Sequence, residues 1–457
     1  MKRLFGTDGV RGIVNEWFTP ERALRLGLAI GSYFGEGAEI VVGRDARAGN
    51  EFMVRAVMAG LISSGLRVYD AGLLPTPALQ YNVRRRWFEG GVMITASHNP
   101  PEYVGVKVVL SDGVEAPREV EAEIERAYWE ERFRRVSWAS LGERVRRLDD
   151  AIDFYVDGIA SQVDDELIRW REWRVVVDAA NNVGALTTPR VLRRLGAKVL
   201  TINSDLSHIP YREPEPLPNT LKDTSRIVTA VGADFGVAHD GDADRAIFID
   251  DQGRVMPGDR SAALLCKHIA KTRPGLPRRV VTAVSSSTLI EEYLRSSGIE
   301  VVWTRVGSIV IARKMMEIGA LAGFEENGGF MFPPHQYVRD GAMTTALMLE
   351  FLARERVKLS EAYDSLPKRY LIKDKLPLPD REVVPKILEA VKSMLEGARF
   401  IEVDGVKAIW NGNWVLVRPS GTEPVLRIFV ESPTEKEAEE LLRKIKLEIM
   451  KVLGAGQ

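Results

Sequence analysis

Gly91-Val92-Met93-Ile94-Thr95-Ala96-Ser97-His98-Asn99-Pro100 is an apolar run that delivers a polar turn. A few apolar residues bounded by glycine and proline read as a buried strand, and Asn99-Pro100-Pro101 stops it abruptly. Such a turn lifts an exposed Ser97 hydroxyl to the end of a sheet, where open α/β sheets bind ligands. Ahead of it lie Glu39 to Gly43 as a strand, a helix with Val54, Val57, Met58 and Leu61 on one face, and Ser64-Gly65-Leu66-Arg67-Val68 as a glycine stop feeding the next strand.

The same order recurs twice. Arg174 to Asp178 reads as a strand, Val191 to Leu195 as a helix and Gly196 to Val199 as the stop and next strand, before Gly232 to Ala238 delivers His239-Asp240-Gly241-Asp242-Ala243-Asp244-Arg245. Arg279 to Ala283 opens the next copy, and Gly319 to Phe324 delivers Glu325-Glu326-Asn327-Gly328-Gly329. A repeat this long means three similar α/β domains, with mixed sheets sandwiched by helices. Related loops at the same place in each copy imply one shared cleft between domains.

The last stretch breaks the pattern. Val406 to Trp410 and Trp414 to Arg418 flank Asn411-Gly412-Asn413, a hairpin turn, and a strand Val425 to Val430 follows. Ser432-Pro433-Thr434-Glu435 then reads as an N-cap serine, a first-turn proline and a capping-box glutamate opening a long helix. This predicts a small α+β domain. Glu121 to Arg135 reads as a charged helix, Asp250 to Arg254 as a turn closing the second domain, and Pro367 to Pro379, with three prolines, as a linker. The expected domains are residues 1–150, 151–251, 252–366 and 367–457.

Composition narrows the function. The chain has 457 residues, 45% hydrophobic and 28% charged, enough to bury several cores. A net charge of -1 provides no bulk attraction to nucleic acid or an anionic membrane. No apolar run approaches a membrane span, and Thr7-Asp8-Gly9 interrupts any signal-peptide core. The single cysteine, Cys266, lies in an apolar helical setting and reads as a buried inert thiol. A cytoplasmic protein is expected.

Asp240, Asp242 and Asp244 alternate with small residues, and carboxylates this close repel unless a hard cation neutralises them. An EF-hand begins similarly, but its sixth position should be glycine and is Arg245, and its twelfth should be glutamate and is Asp251. An oxygen-only Mg²⁺ site that also takes a phosphoryl oxygen fits better. Arg418-Pro419-Ser420-Gly421-Thr422-Glu423-Pro424 offers a guanidinium fork, hydroxyls and free backbone N–H groups for a phosphate, with Arg427 within reach if the strand turns back. Glu325 and Asn327 suit sugar hydroxyls. Arg11 is the anion-binding group of Gly6 to Gly12, a stretch rich enough in glycine to be an exposed loop. Lys107 reads either as a surface lysine or as a cation over the cleft, and His98 and His239 as backbone-bonding or site histidines.

Taken in order, Thr95 to Pro100, Asp240 to Arg245, Phe324 to Gly329 and Arg418 to Pro424 resemble the α-D-phosphohexomutase superfamily, in its phosphomannomutase/phosphoglucomutase and phosphoglucosamine mutase branches. The resemblance covers the whole chain. It implies four domains, the last similar to the TATA-binding-protein fold, and a serine, here Ser97, that carries a phosphoryl group. It implies one Mg²⁺ held by Asp240, Asp242, Asp244 and an oxygen of that phosphoserine. Glu325 and Asn327 match sugar contacts; Arg418, Ser420, Gly421 and Thr422 match the loop gripping the non-reacting phosphate. Arg11, His98, Lys107 and Arg245 match positions near the phosphoserine. The implied activity is reversible phosphoryl transfer between the 1- and 6-positions of a mannose or glucose phosphate through a hexose 1,6-bisphosphate, with glucosamine phosphate as the alternative substrate and a monomer or homodimer as the assembly. Two departures stand out: Val104 replaces a common asparagine, and Gly329 a histidine common in bacterial relatives, so no proton-transfer role carries over to position 329. Two rivals remain, a phosphatase using Asp240 as nucleophile, which leaves Ser97 idle, and a non-catalytic sugar-phosphate binder, which has no use for a metal site beside a serine.

Overall fold

The computed structural model describes residues 3–6, 9–141, 145–421 and 423–454. The chain divides into two compact units, one of Met1–Ser261 with Asn327–Glu361 and the other of Ala262–Glu326 with Ala362–Gln457.

The first unit holds two mixed sheets. In the first, the strands run in the order Val10–Ile13, Tyr103–Leu110, Gly90–Ile94, Glu39–Arg44, Arg67–Leu73 and Arg146–Arg147. Gly90–Ile94 lies parallel to Glu39–Arg44 and antiparallel to Tyr103–Leu110, and every residue of it is buried, as its unbroken apolar run requires. In the second the order is Val255–Met256, Ile247–Asp250, Phe235–Ala238, Arg174–Asp178 and Lys198–Ile202. Both sheets therefore present the ends of central strands, at Ile94 and Ala238, to the turns that carry Ser97 and the aspartates. The unit also contains the antiparallel hairpin Phe330–Phe332 and Gln336–Arg339, followed by the buried helix Gly341–Glu355.

The second unit carries three parallel strands, Glu300–Thr304, Arg279–Ala283 and Ala322–Phe324, and an antiparallel sheet ordered Tyr370–Pro377, Val425–Ser432, Asn413–Pro419, Val406–Trp410 and Arg399–Ile401. The expected hairpin turn is present, with Asn411 and Gly412 at φ 44° and 79°. Lys407, fully buried, places its ammonium 4.0 and 4.1 Å from the ring centroids of Trp303 and Trp414 and donates to Val284 O and Ser286 O at 2.9 and 2.5 Å. Beside it Glu431 accepts from Trp414 Nε1 at 2.8 Å and from the Ser287 hydroxyl.

Several local expectations change. Within Gly6 to Gly12, Val10–Ile13 is an edge strand with Arg11 opposite Gly105; Thr7 and Asp8 lie outside the described residues. Gly12 is required in that strand because the Trp17 ring fills the space its side chain would take. The charged helix spans Arg118–Trp129 and stops before Arg135. The expected linker, Pro367 to Pro379, is mostly a strand: Tyr370–Pro377 pairs along its length with Val425–Ser432, and its proline falls at the end of a sheet edge, where a missing N–H costs little. The turn after Asp250 leads to Val255–Met256, which pairs back onto the second sheet. The final helix is capped two residues later than expected: Thr434 Oγ1 accepts from Glu437 N at 3.3 Å while Glu437 Oε2 accepts from Thr434 N at 3.2 Å.

Candidate active site

The Ser97 turn is a strained, tightly held bend. Ser97 sits at φ 50°, a left-handed conformation that a non-glycine residue adopts only when its surroundings impose it. Arg47 imposes it: its guanidinium donates to Ser97 O at 2.5 Å, Asn99 O and Pro100 O at 2.7 Å and Tyr103 O at 3.2 Å. Asp45 pairs with Arg47 at 3.3 Å and accepts from Thr95 Oγ1 at 2.6 Å. Burial pushes the Asp45 carboxyl up to about 6, against the pull of Arg47. The serine is not exposed, as its position in a turn suggested. It is buried, and its hydroxyl donates to Asp240 Oδ2 at 2.8 Å.

The aspartate loop packs directly on this turn. A β-carbon at Gly241 would stand 2.4 Å from Ser97 O, so only glycine permits the approach. Asp240, Asp242 and Asp244 are buried, with one ligand oxygen of each lying within 4.8 Å of the others. Behind the loop, His239 Nδ1 meets Arg245 O at 2.7 Å and Arg212 donates to His239 O at 2.7 Å. Burial lowers the His239 pKa, so His239 is a neutral structural donor.

Cations line the same place. Lys107 is no surface lysine: it is buried, 3.0 Å from Asp242 Oδ2, 3.7 Å from Asp244 Oδ2 and 3.5 Å from Glu115 Oε1. Its strand, antiparallel to Gly90–Ile94, points it inward opposite Met93. Arg245 reaches His98 Nδ1 at 3.0 Å and Glu215 at 3.2 Å, and His98 Nδ1 lies 3.4 Å from Ser97 Oγ. Burial works against the Arg245 charge, but Asp240 and Asp244 more than offset it and raise its pKa. Arg11 Nη1 donates to Asn99 Oδ1 of the serine turn. The structure thus brings together Arg11, Ser97, His98, Lys107, Asp240, Asp242, Asp244 and Arg245. Four contributors were not singled out from the sequence: Asp45, Arg47, Thr76, which donates to Asp242 Oδ2 at 2.7 Å, and Arg339, 2.6 Å from Asp244 Oδ2.

The three carboxylates fit a hard divalent cation. Burial, reinforced by the neighbouring carboxylates, raises the pKa of Asp240 and raises that of Asp244 well above the usual range, the signature of negative charge that a cation would relieve. Asp244 Oδ1 is buried with no hydrogen-bond partner.

Each of the remaining predicted residues is placed within its own unit. Glu325 is buried and belongs to the second unit; Asn327 belongs to the first, and its Oδ1 accepts from Gly329 N at 3.1 Å. In the second unit Arg418 and Arg427 sit directly opposite on paired strands, with Lys375 next in register beyond Arg427. Each arginine has a carboxylate partner, Asp404 at 2.9 Å for Arg418 and Glu423 at 3.2 Å for Arg427. Ser420 is held by its backbone, donating to Val425 O at 2.9 Å and accepting from Arg381 at 2.6 Å; Gly421 is exposed. Thr422 lies outside the described residues. A basic row presented by three strands of one sheet suits an anionic group.

Comparison with known proteins places these features. Four successive segments match the descriptions "Phosphoglucomutase/phosphomannomutase, alpha/beta/alpha domain I" (residues 2–135), domain II (153–253), domain III (257–370) and the C-terminal domain (373–448). A phosphoglucosamine/phosphogalactosamine mutase of Sulfurisphaera tokodaii is 52% identical, over 98% of this chain and 99% of that protein. A phosphoglucomutase/phosphomannomutase of Thermococcus kodakarensis is 44% identical, over 97% of each. The crystal structure of a phosphoglucomutase/phosphomannomutase family protein from Burkholderia thailandensis superposes with a TM-score of 0.87 at 25% identity, covering 99% of this chain and 97% of that one. Among the described residues no helix is long and apolar enough to cross a membrane.

Proposed function

Since the chain belongs to the phosphoglucomutase/phosphomannomutase family of phosphohexomutase isomerases, we propose that it moves a phosphoryl group between the 1- and 6-positions of a hexosamine phosphate, glucosamine phosphate first, with Ser97 as the carrier. The observation that carries the reading is the Ser97 hydroxyl donating to Asp240 within a buried ring of carboxylates and cations. The 52% identical mutase, whose name specifies glucosamine and galactosamine, supports an amino sugar over glucose or mannose. The 44% identical phosphoglucomutase/phosphomannomutase keeps the neutral hexose phosphates as the second reading.

In this mechanism Arg47 fixes the turn so that Ser97 Oγ faces the incoming phosphoryl group, and Asp240 orients the hydroxyl. His98 Nδ1 lies 3.4 Å from that oxygen, and Lys107, Arg245 and Arg11, held on Asp242, His98 and Asn99, would supply further donors for the charge spread over a transferring phosphoryl group. Asp240, Asp242 and Asp244 would hold Mg²⁺, which when bound neutralises phosphoryl charge. Glu325 and Asn327 would meet sugar hydroxyls, and Arg418, Ser420, Gly421, Thr422 and Arg427 the phosphate that does not react. The cycle starts with Ser97 phosphorylated: its phosphoryl group passes to the free hydroxyl of the sugar monophosphate, which gives up its proton, leaving a bisphosphate and the Ser97 hydroxyl. After the sugar reorients, its other phosphate returns to the Ser97 oxygen and frees the product monophosphate.

Two measurements test the reading. Intact-mass spectrometry after incubation with a hexose 1,6-bisphosphate should find one phosphate on the protein, absent in Ser97→Ala. Turnover of glucosamine 1-phosphate should exceed that of glucose and mannose 1-phosphates in kcat/KM. Phosphate on an aspartate, or turnover by Ser97→Ala, overturns the serine carrier; preference for mannose or glucose phosphate overturns the substrate alone.

A further inference from the structure

Each aspartate of the triad has two oxygens, and in each one is held by another side chain. Asp240 Oδ2 accepts from Ser97 at 2.8 Å, Asp242 Oδ2 accepts from Thr76 at 2.7 Å and Lys107 at 3.0 Å, and Asp244 Oδ2 lies 2.6 Å from Arg339 Nη2. Asp244 Oδ1 is left buried and without a hydrogen bond, facing Arg245 Nε only at 3.9 Å.

Arg339 comes from far along the chain, and its path is built. It ends the strand Gln336–Arg339, opposite Met331, and is buried. Its side chain passes over Gly329, where a β-carbon would stand 2.4 Å from Arg339 Cδ. The next residues anchor that strand to the aspartate loop: Asp340 caps the helix Gly341–Glu355 by accepting from Met343 N at 2.9 Å, and Gly341 N donates to Ala243 O at 3.2 Å. The guanidinium is therefore fixed with respect to the carboxylate it holds.

Ca²⁺ takes about six to eight oxygens and readily uses both oxygens of a carboxylate, whereas Mg²⁺ demands a tight octahedron. A carboxylate whose second oxygen faces a fixed guanidinium is confined to one-oxygen ligation. We infer that Arg339 is a positioning residue that confines Asp244 to a single ligand oxygen and thereby makes the site select Mg²⁺ over Ca²⁺. The inference rests on the metal role proposed above for the triad.

The test is calorimetric titration of the full chain, freed of phosphate, with MgCl₂ and with CaCl₂, for wild type, Arg339→Met and Arg339→Lys, with Asp242→Asn locating the binding. Wild type should favour Mg²⁺. Arg339→Met should lower the ratio of Kd for Ca²⁺ to Kd for Mg²⁺ by about tenfold or more, since the freed oxygen admits the larger ion. Arg339→Lys, which restores a cation without the planar fork, should fall between. A merely structural arginine would weaken both ions together, so an unchanged ratio overturns the inference and leaves the metal reading standing. A wild type that binds neither ion, or binding that survives Asp242→Asn, overturns both. If Arg339→Met does not fold, Gly329→Ala crowds the same side chain at Cδ, and the same ratio decides.

Discussion

Replacing Arg47 by methionine removes the guanidinium that gathers the serine turn while keeping most of its apolar stem. In the native protein this group, only 6% exposed, donates to the carbonyls of Ser97, Asn99, Pro100 and Tyr103 and pairs with Asp45. A hydrogen bond from a charged donor contributes about 1.5–3 kcal/mol, and a buried carbonyl left unsatisfied costs about 1–3 kcal/mol. The carbonyls share two nitrogens, so summing a full penalty for each overcounts; about 4–6 kcal/mol is the reasonable loss. The same bonds hold Ser97 at φ 50°, and without them the turn relaxes and carries Oγ away from Asp240. If about 4 kcal/mol of the loss falls on the reacting geometry, turnover drops about a thousandfold. The assay pairs kcat with the rate of phosphate incorporation on Ser97 from a hexose 1,6-bisphosphate, read by intact mass. Both should fall together, and Arg47→Lys should recover only part, because a compact ammonium cannot span the same carbonyls. A folded Arg47→Met enzyme that takes up phosphate at the wild-type rate and turns over within about threefold of it refutes the clamp.

Other outcomes follow from the same geometry. Lys107→Met, which removes the buried cation nearest Asp242, should lower kcat by about 10²–10⁴-fold with a smaller change in KM, checked by steady-state kinetics. Arg418→Ala should act mainly on KM: losing one charge-assisted bond of about 1.5–3 kcal/mol means roughly 10–150-fold in kcat/KM, and Ser97 should still accept phosphate from a small donor such as acetyl phosphate. Asp45, raised from 3.8 to about 6, holds its proton longer folded than unfolded, so its stabilising contribution is full below about pH 4 and is lost as pH rises through about 6. That shift corresponds to about 3 kcal/mol, and Asp45→Asn should gain stability on the wild type as pH rises from about 4 to about 6 and level off above that, read as the gap between their unfolding midpoints in EDTA; a gap independent of pH rules this out.

The serine turn and the aspartate loop were legible because each is a contiguous run at the end of an apolar strand. Spacing alone put three carboxylates in one loop, and the structure keeps them within ligand distance of one another. What holds them was not legible. Arg47 arrives from the loop after Glu39–Arg44, Thr76 from the start of the helix Thr76–Arg85 and Arg339 from the end of the strand Gln336–Arg339, and their roles exist only once the chain has closed. Lys107 carried a signal in its apolar surroundings, Val104-Gly105-Val106 before it and Val108-Val109 after, which mark a central strand where a lysine must be buried and paired. The strand Tyr370–Pro377 was hidden by prolines at both ends and by alternating charge, the pattern of an edge strand half open to water. Ser432 looked like a helix cap because serine and proline often start helices; the chain instead continues the strand through Ser432 and leaves capping to Thr434.

The ammonium of Lys407 makes the C-terminal region a dependent part. A fragment beginning at residue 367 would keep Lys407, Trp414 and Glu431 but lose Val284, Ser286, Ser287 and Trp303, and with them both carbonyls that receive the ammonium, one of its rings and the Ser287 hydroxyl on Glu431. Trp414, Leu416 and Phe429, which pack with Val284 in one apolar cluster, would be bared to water on the same face. Such a fragment should associate with itself rather than persist as a soluble domain. Chimeras between relatives should fold when the Val284–Trp303 region travels with the last sheet and fail when the chain is joined between them. By that measure, the unit of exchange in this protein is the interlocked pair, and the C-terminal domain by itself is only half of it.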